Sequence, residues 1–317
     1  MAIASKGTVA WLTKSDQPSI RYFALRELLG KGNRDTEVRL ARSQIPIKGW
    51  ARQILDAQRP VGTWVSDESL YRPKYVCTNW MLLVLSDLGL TKENPRVKKS
   101  AELWMKRFAK ADGGFGVEDD PKSELCIVGN TARALIRFGY EDHPKVQSAI
   151  DWLVKNQKDN GGWHCFGDEG VIDAWEGMSA FASYPRQKWT RSVKNSVEKG
   201  AEFYLERRLH REGRAYAPWY RLHYPAQYFY DILVGLDVIT ALGFTDDLRL
   251  KDDLDRLKAK MSKAGRWKLD AAHPDATVGY KRAVVNGRIT PFALEDVGMP
   301  SQMITLKALT VLQRTER

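Results

Sequence analysis

Five residues hold the same place in a repeated pattern: Pro18, Cys77, Cys126, Asp173 and Asp231 each lie 12 or 13 residues before the stop of an apolar helix pattern. If those helices run the same way, two thiols and two carboxylates gather at one end. The partial positive charge of a helix start lowers thiol and carboxyl pKa values. Acid–base chemistry is the natural use, with Asp173, Asp231 and the nearby His223 as candidate catalytic residues. Ordinary roles compete, since Asp is a favoured N-cap and Cys a small buried residue. A zinc site is the sharper alternative. Cys126, Cys165 and His223 supply sulfur, sulfur and nitrogen, with Asp173 or Asp231 as a fourth ligand and His164 as another candidate. No CxxC or HExxH spacing supports it.

A second group surrounds the same helix starts. Arg221-Leu222-His223-Tyr224-Pro225 sets a cation, an imidazole and a phenol together before one apolar helix, a set suited to a diphosphate or to proton transfer. Trp80, Trp175, Tyr228, Phe229 and Tyr230 stand on or just before such helices. Asn130 and Arg133 interrupt another, and a buried polar side chain needs a partner or a wet pocket. The candidate ligand-binding residues are therefore Trp80, Asn130, Arg133, Trp175, Arg221, Tyr224, Tyr228 and Tyr230. Simple core packing is the competing role for any one ring. Arg137, one turn beyond Arg133, is placed at the opposite rim.

The elements that must position these residues repeat. Gly62-Thr63-Trp64, Gly113-Gly114-Phe115, Gly161-Gly162-Trp163, Gly213-Arg214-Ala215-Tyr216 and Gly265-Arg266-Trp267 put an aromatic residue 48 to 53 residues after the last. An amphipathic helix precedes each turn, as in Val97, Ala101, Trp104, Phe108. The second helix type is apolar nearly all round and so is buried on most sides: Thr78–Leu88, Ile127–Phe138, Ala174–Tyr184 and Ile232–Leu242. It stops at Leu88-Gly89, Phe138-Gly139, Tyr184-Pro185 and Leu242-Gly243, where Gly supplies a left-handed residue or Pro blocks continuation. A helix from Ser19 ends likewise at Leu29-Gly30, and Ser301–Arg314 adds one more. Six buried helices alternating with five or six amphipathic ones fit an open solenoid or a closed ring, and the apolar inner set favours the ring. No strand pattern competes. The expected architecture is one all-α domain over 1–317, with a long loop at 270–300 that would act as a lid.

The 317 residues carry a formal net charge of +11. That favours anionic partners, although no long basic run or nucleic-acid motif is present. The absence of an 18-residue apolar run excludes a helical membrane span. Ser15, Asp16 and Gln17 break any signal-peptide core, and three cysteines make no disulfide framework, so a cytoplasmic location is expected.

Gln157-Lys158-Asp159-Asn160-Gly161-Gly162-Trp163 resembles the glutamine–tryptophan repeat of squalene and oxidosqualene cyclases, and Ala111-Asp112-Gly113-Gly114-Phe115-Gly116 the matching turn of protein prenyltransferase beta subunits. Over roughly Asp35–Arg314 the chain resembles a single-domain member of the prenyltransferase and squalene-cyclase repeat superfamily. The resemblance implies an (α/α)6 toroid with an isoprenoid or other apolar ligand in an aromatic cavity. Phosphate on that ligand and peripheral membrane contact are further expectations; nucleic acid is not. Class II cyclases protonate their substrate with a buried Asp in an Asp-x-Asp-Asp motif, which this chain lacks; Val117-Glu118-Asp119-Asp120 comes closest. The DDxxD of class I synthases is absent, and Asp252-Asp253-Leu254-Asp255 has the wrong spacing. The zinc ligands of protein prenyltransferases and lanthionine cyclases do not match residue by residue. Two readings stay open: a cyclase-like or prenyltransferase-like protein, or a non-catalytic toroid that binds a peptide, protein or anionic lipid.

Overall fold

The computed structural model describes residues 5–211, 216–271 and 294–316. Its helices are α1 (Lys6–Thr13), α2 (Pro18–Phe23, running on into a π-helical turn at Ala24–Leu28), α3 (Thr36–Gln44), α4 (Gly49–Asp56), α5 (Thr78–Asp87), α6 (Pro95–Phe108), α7 (Leu125–Arg137), α8 (Pro144–Lys155), α9 (Glu176–Ser183), α10 (Arg191–Glu206), α11 (Ile232–Ala241), α12 (Lys251–Ala259) and α13 (Gln302–Thr315). Extended pairing among the described residues is limited to isolated bridges. Every apolar helix expected from the sequence is present, with ends displaced by no more than two residues. Gly30, Gly89, Gly139 and Gly243 take the left-handed conformation that closes a helix.

The apolar helices α5, α7, α9, α11, α13 and α2 form an inner ring, packed one on the next in that order. Between α13 and α2 the contact runs through the π-turn, where Gln313 Nε2 donates to the Leu28 carbonyl at 3.4 Å. Between α2 and α5 the Phe23 ring seats so closely on Gly89 that a Cβ there would lie 3.1 Å from it. The ring is closed, which excludes the open solenoid. Outside it lie α3 with α4, then α6, α8, α10 and α12. The sequence pattern leaves out α1, which no aromatic turn precedes. It completes the outer layer: Thr8 Oγ1 donates to the Ala264 carbonyl at 2.9 Å, and Trp11 lies under the Arg266 guanidinium at 4.2 Å.

The repeated turn acts as a clamp. Trp64, Trp163 and Trp267 are buried, and each indole N–H donates to a carbonyl ten residues back on the preceding outer helix: Ile54 at 2.7 Å, Leu153 at 2.9 Å and Leu257 at 2.7 Å. The neighbouring glutamines tie one outer helix to the next. Gln58 Nε2 donates to the Arg96 carbonyl of α6 at 3.0 Å, and Gln157 Nε2 to the Ser196 carbonyl of α10 at 2.8 Å. The fourth repeat departs from this scheme. Tyr216 is 48% exposed, and Tyr230 enters the core instead, donating its hydroxyl to the Leu209 carbonyl at 2.8 Å. Gly213-Arg214-Ala215 and most of the 270–300 loop read as a lid lie outside the described residues.

The closest inner seam joins α7 to α9. A Cβ on Gly129 would stand 2.5 Å from the carbonyl carbon of Glu176 and 2.6 Å from its oxygen. Rigid backbone blocks that space, so Gly129→Ala forces the helices apart. Overpacking of this kind costs about 1–3 kcal/mol. The urea midpoint is expected to fall with an unchanged slope; an unchanged midpoint would refute the close seam.

Candidate functional site

Lining residues identify which end of the bore is open. A cavity of about 460 Å³ is lined by Glu27, Asp87, Arg137, Ser183, Ala241 and Arg314, the last-turn or end residues of all six inner helices. Helix ends of this polarity carry partial negative charge, which favours cations nearby. Arg137 and Arg314 occupy such last turns, and Lys307 of α13 and Arg42 of α3 join them. Asp87 pairs with Arg137 and stands 3.9 Å from Arg133. Asp237 pairs with Lys307 at 3.2 Å and Arg314 at 2.9 Å. Burial alone would raise the Asp237 pKa, but the two cations outweigh it and hold the carboxyl below the usual range. Tyr22, Phe23, Val234, Val238, Met303 and Leu306 supply the apolar wall.

The floor is a buried cation on an aromatic face. Arg133 is 3% exposed and lies 5.1 Å over the Trp175 ring, and its Nη2 donates to Asn130 Oδ1 at 3.0 Å. Cys126, Asn130, Arg133 and Arg137 recur at spacings of four, three and four, which makes one polar stripe along α7. Glu176, the first residue of α9, is 2% exposed. Its Oε2 has no hydrogen-bond partner among the described residues. Burial pushes this carboxyl well above the usual range, and Cys165 and Asp173 push it further against the opposing pull of Arg133. An acid in the first turn of an apolar helix was the sequence signal for it. Asp173-Ala174-Trp175-Glu176 even keeps the first and last acids of an Asp-x-Asp-Asp pattern, with Trp175 in the third place.

At the helix-start end, where the sequence reading expects a rim of catalytic groups around the mouth, two tyrosines meet. Tyr75 precedes α5 and Tyr228 precedes α11, on opposite sides of the ring. Their hydroxyls share a hydrogen bond of 2.7 Å across the bore, with Trp80 packed 4.8 Å and 5.6 Å from the two rings. Trp80 and Tyr228 therefore plug the bore and do not line the described cavity. Tyr230 clamps the fourth repeat, and Arg221 is exposed, donating to the Asp270 carbonyl at 3.2 Å. Tyr224 is buried, with its phenol pKa raised by burial and by nearby Asp87. Of the candidate binding residues, Arg133 and Trp175 line the cavity and Asn130 holds Arg133.

Asp231 N-caps α11 through Val234 N–H at 2.9 Å, and its other oxygen takes the His223 amide at 3.0 Å and ring Nδ1 at 2.6 Å. His223 is thus brought to Asp231, while Asp173 is exposed before α9. The zinc assignment also needs correction. Cys126 and Cys165 meet, but the described residues include no group of three such side chains able to hold an ion, so His223 is not brought to the thiols. The donor set does not fit zinc. Sequence reasoning missed Asp87, Asp237, Lys307 and Arg314, although for Asp237 and Lys307 a charge interrupting an apolar helix was the available signal.

No protein-family model matches the chain. A squalene–hopene cyclase of Bradyrhizobium diazoefficiens is 28% identical over 119 residues, a match that covers 33% of this chain and 17% of that protein. The type II terpene cyclase MstE from Scytonema is similar in structure. A variant of it in complex with geranylgeranyl dihydroxybenzoate superposes with a TM-score of 0.50 and 14% identity, over 99% of this chain and 96% of that one. Another variant, bound to merosterolic acid A, gives 0.50 and 12%, over 99% and 95%. These likenesses establish a terpenoid-cyclase-like α/α toroid.

Glu176 yields a pH prediction. A carboxyl whose folded pKa is raised loses stability as pH climbs from its unfolded value, about 4.3, toward its folded one. Glu176→Gln removes the titrating group. Chemical denaturation at pH 4.5 and pH 8 is expected to show wild-type stability falling across that span more steeply than the variant's. Parallel profiles would show that Glu176 ionises normally.

Proposed function

We propose that this chain, a terpenoid-cyclase-like toroid of the prenyltransferase and squalene-cyclase repeat superfamily, holds an isoprenoid or similarly apolar chain in its bore with an anionic group at the cationic mouth. The observation that carries this reading is the one-ended cavity: plugged by Tyr75 and Tyr228, floored by Arg133 on Trp175, walled by Phe23, Met303 and Leu306, and rimmed by Arg42, Arg137, Lys307 and Arg314. Its volume lies within the range of small-molecule sites. Asp87 and Asp237 fix three of the rim cations in place, so an incoming carboxylate or phosphate meets arranged donors. The MstE complexes carry a ligand of this kind, a prenyl chain on an acidic head, which supports the same class here.

Proton-initiated cyclisation is the reaction this architecture supports best. A neutral carboxyl beside the floor can give its proton to an alkene, and the π-faces of aromatic residues stabilise the resulting cation. Glu176, whose pKa burial pushes well above the usual range, is the residue suited to that role. A second reading, ligand holding without turnover, is favoured by Trp175, an indole where the Asp-x-Asp-Asp pattern has its third-position acid.

Titration with farnesyl diphosphate and with farnesol separates the roles of rim and wall. Arg137→Ala is expected to weaken diphosphate binding about tenfold or more, the worth of one charge-assisted hydrogen bond, and to leave farnesol affinity unchanged. Equal loss for both ligands, or no binding of either to the wild type, would refute the proposed orientation. Product analysis by gas chromatography then decides turnover. Cyclised product that disappears in Glu176→Gln while binding persists supports catalysis; its absence from the wild type supports holding alone.

A further inference from the structure

α7 begins without a side-chain cap of its own: its N-cap residue Glu124 makes no capping hydrogen bond. The sulfur of Cys165 fills that role from another element. It accepts the Cys126 backbone N–H, and the Cys126 thiol also hydrogen-bonds to it. The loop that carries Cys165 is fixed in this position. Trp163 and Val171 bridge its base, Asn160 Oδ1 takes the amides of Gly162 and Gly170 at 3.1 Å each, and His164 Nδ1 accepts from Phe166 at 2.9 Å and Gly167 at 2.6 Å. Both cysteines are half-buried, so a small oxidant reaches them. Cys77 is different: it is fully buried, and burial pushes its thiol up to about 12.

We propose that Cys126 and Cys165 form a reversible disulfide, a redox-modification site that joins the start of α7 to the loop feeding α9. Hydroperoxides are the oxidant class. The Cys165 thiolate attacks the terminal peroxide oxygen, the O–O bond breaks, and a sulfenic acid results with an alkoxide, or with hydroxide when the oxidant is hydrogen peroxide. Cys126 then attacks that sulfur; the S–S bond forms and the sulfenic oxygen leaves as water. Two electrons pass from the thiols to the peroxide, and a dithiol reductant restores them. Cys165 suits the first step because hydrogen bonding from Cys126 draws its thiol down to about 7. The bridge would fix the polar stripe of α7, with Arg133 and Arg137, against the segment that carries Trp175 and Glu176.

The test uses the full chain without ligand, so its failure is separate from failure of the binding proposal. Folded protein is treated with hydrogen peroxide, alkylated, digested without reductant and mapped by mass spectrometry. A Cys126–Cys165 cross-linked peptide is expected, absent after dithiothreitol, with Cys77 alkylated only on denaturation. Cys126→Ser is expected to leave Cys165 as a sulfenic acid captured by dimedone. If peroxide instead leaves both wild-type cysteines separately alkylated, or oxidises Cys165 to the sulfinic acid beside a free Cys126, the proposal is overturned.

Discussion

Six inner helices that run the same way round a closed ring impose one constraint on everything inside it. Their amide ends gather at one mouth and their carbonyl ends at the other, and the two mouths become electrostatically unlike. At the amide end the satisfying groups are acceptors: Asp231 caps α11, Ser301 caps α13 and the Cys165 sulfur caps α7. At the carbonyl end they are cations, with Arg137, Arg314 and Lys307 around the cavity. The placement of charge in this protein follows from that polarity before any ligand is considered.

The same polarity explains why the fold was legible and the site was not. A turn, a period and a glycine stop are local features, and each recurs often enough to read from the chain. Where the recurrence lapses, so does the reading, as with α1 and with Tyr216, whose place in the core Tyr230 takes. The helix starts could be aligned by counting back from the stops, and Cys77 and Asp231 do stand at N-caps and Cys126 in a first turn. Which end is open cannot be counted. It depends on Tyr75 and Tyr228, 153 residues apart, meeting across the bore. The setting of His223 was hidden for a similar reason, because a neighbour eight residues away engages its Nδ1.

Cavity residues are easier to recognise once burial is known. Asp237 and Lys307 look like helix-face charges, yet they sit on inner helices that have no solvent face. A charge in that position must be paired or must border a hollow. Asn130 and Arg133 drew notice because they break an apolar run, and both prove to belong to the floor. Asp87, at the end of α5, gives no such signal, since acidic residues near helix ends are common on ordinary surfaces.

Arg133 and Glu176 show how far the floor departs from ordinary packing. They lie on facing helices brought together by Gly129, within electrostatic reach, yet no hydrogen bond between them is among those described. Had they formed a tight ion pair, each would have neutralised the other and the floor would be inert. Arg133 instead takes Asn130, the Trp175 face and a share of Asp87, a cation–π contact of this desolvated kind being worth about 2 kcal/mol or more. Glu176 makes no hydrogen bond to that cation among those described, and burial pushes its pKa up despite the cation's pull. The arrangement therefore holds a cation and a carboxyl of raised pKa side by side in one apolar interior. Holding them apart costs stability, and that cost is characteristic of an interior arranged around something other than its own packing.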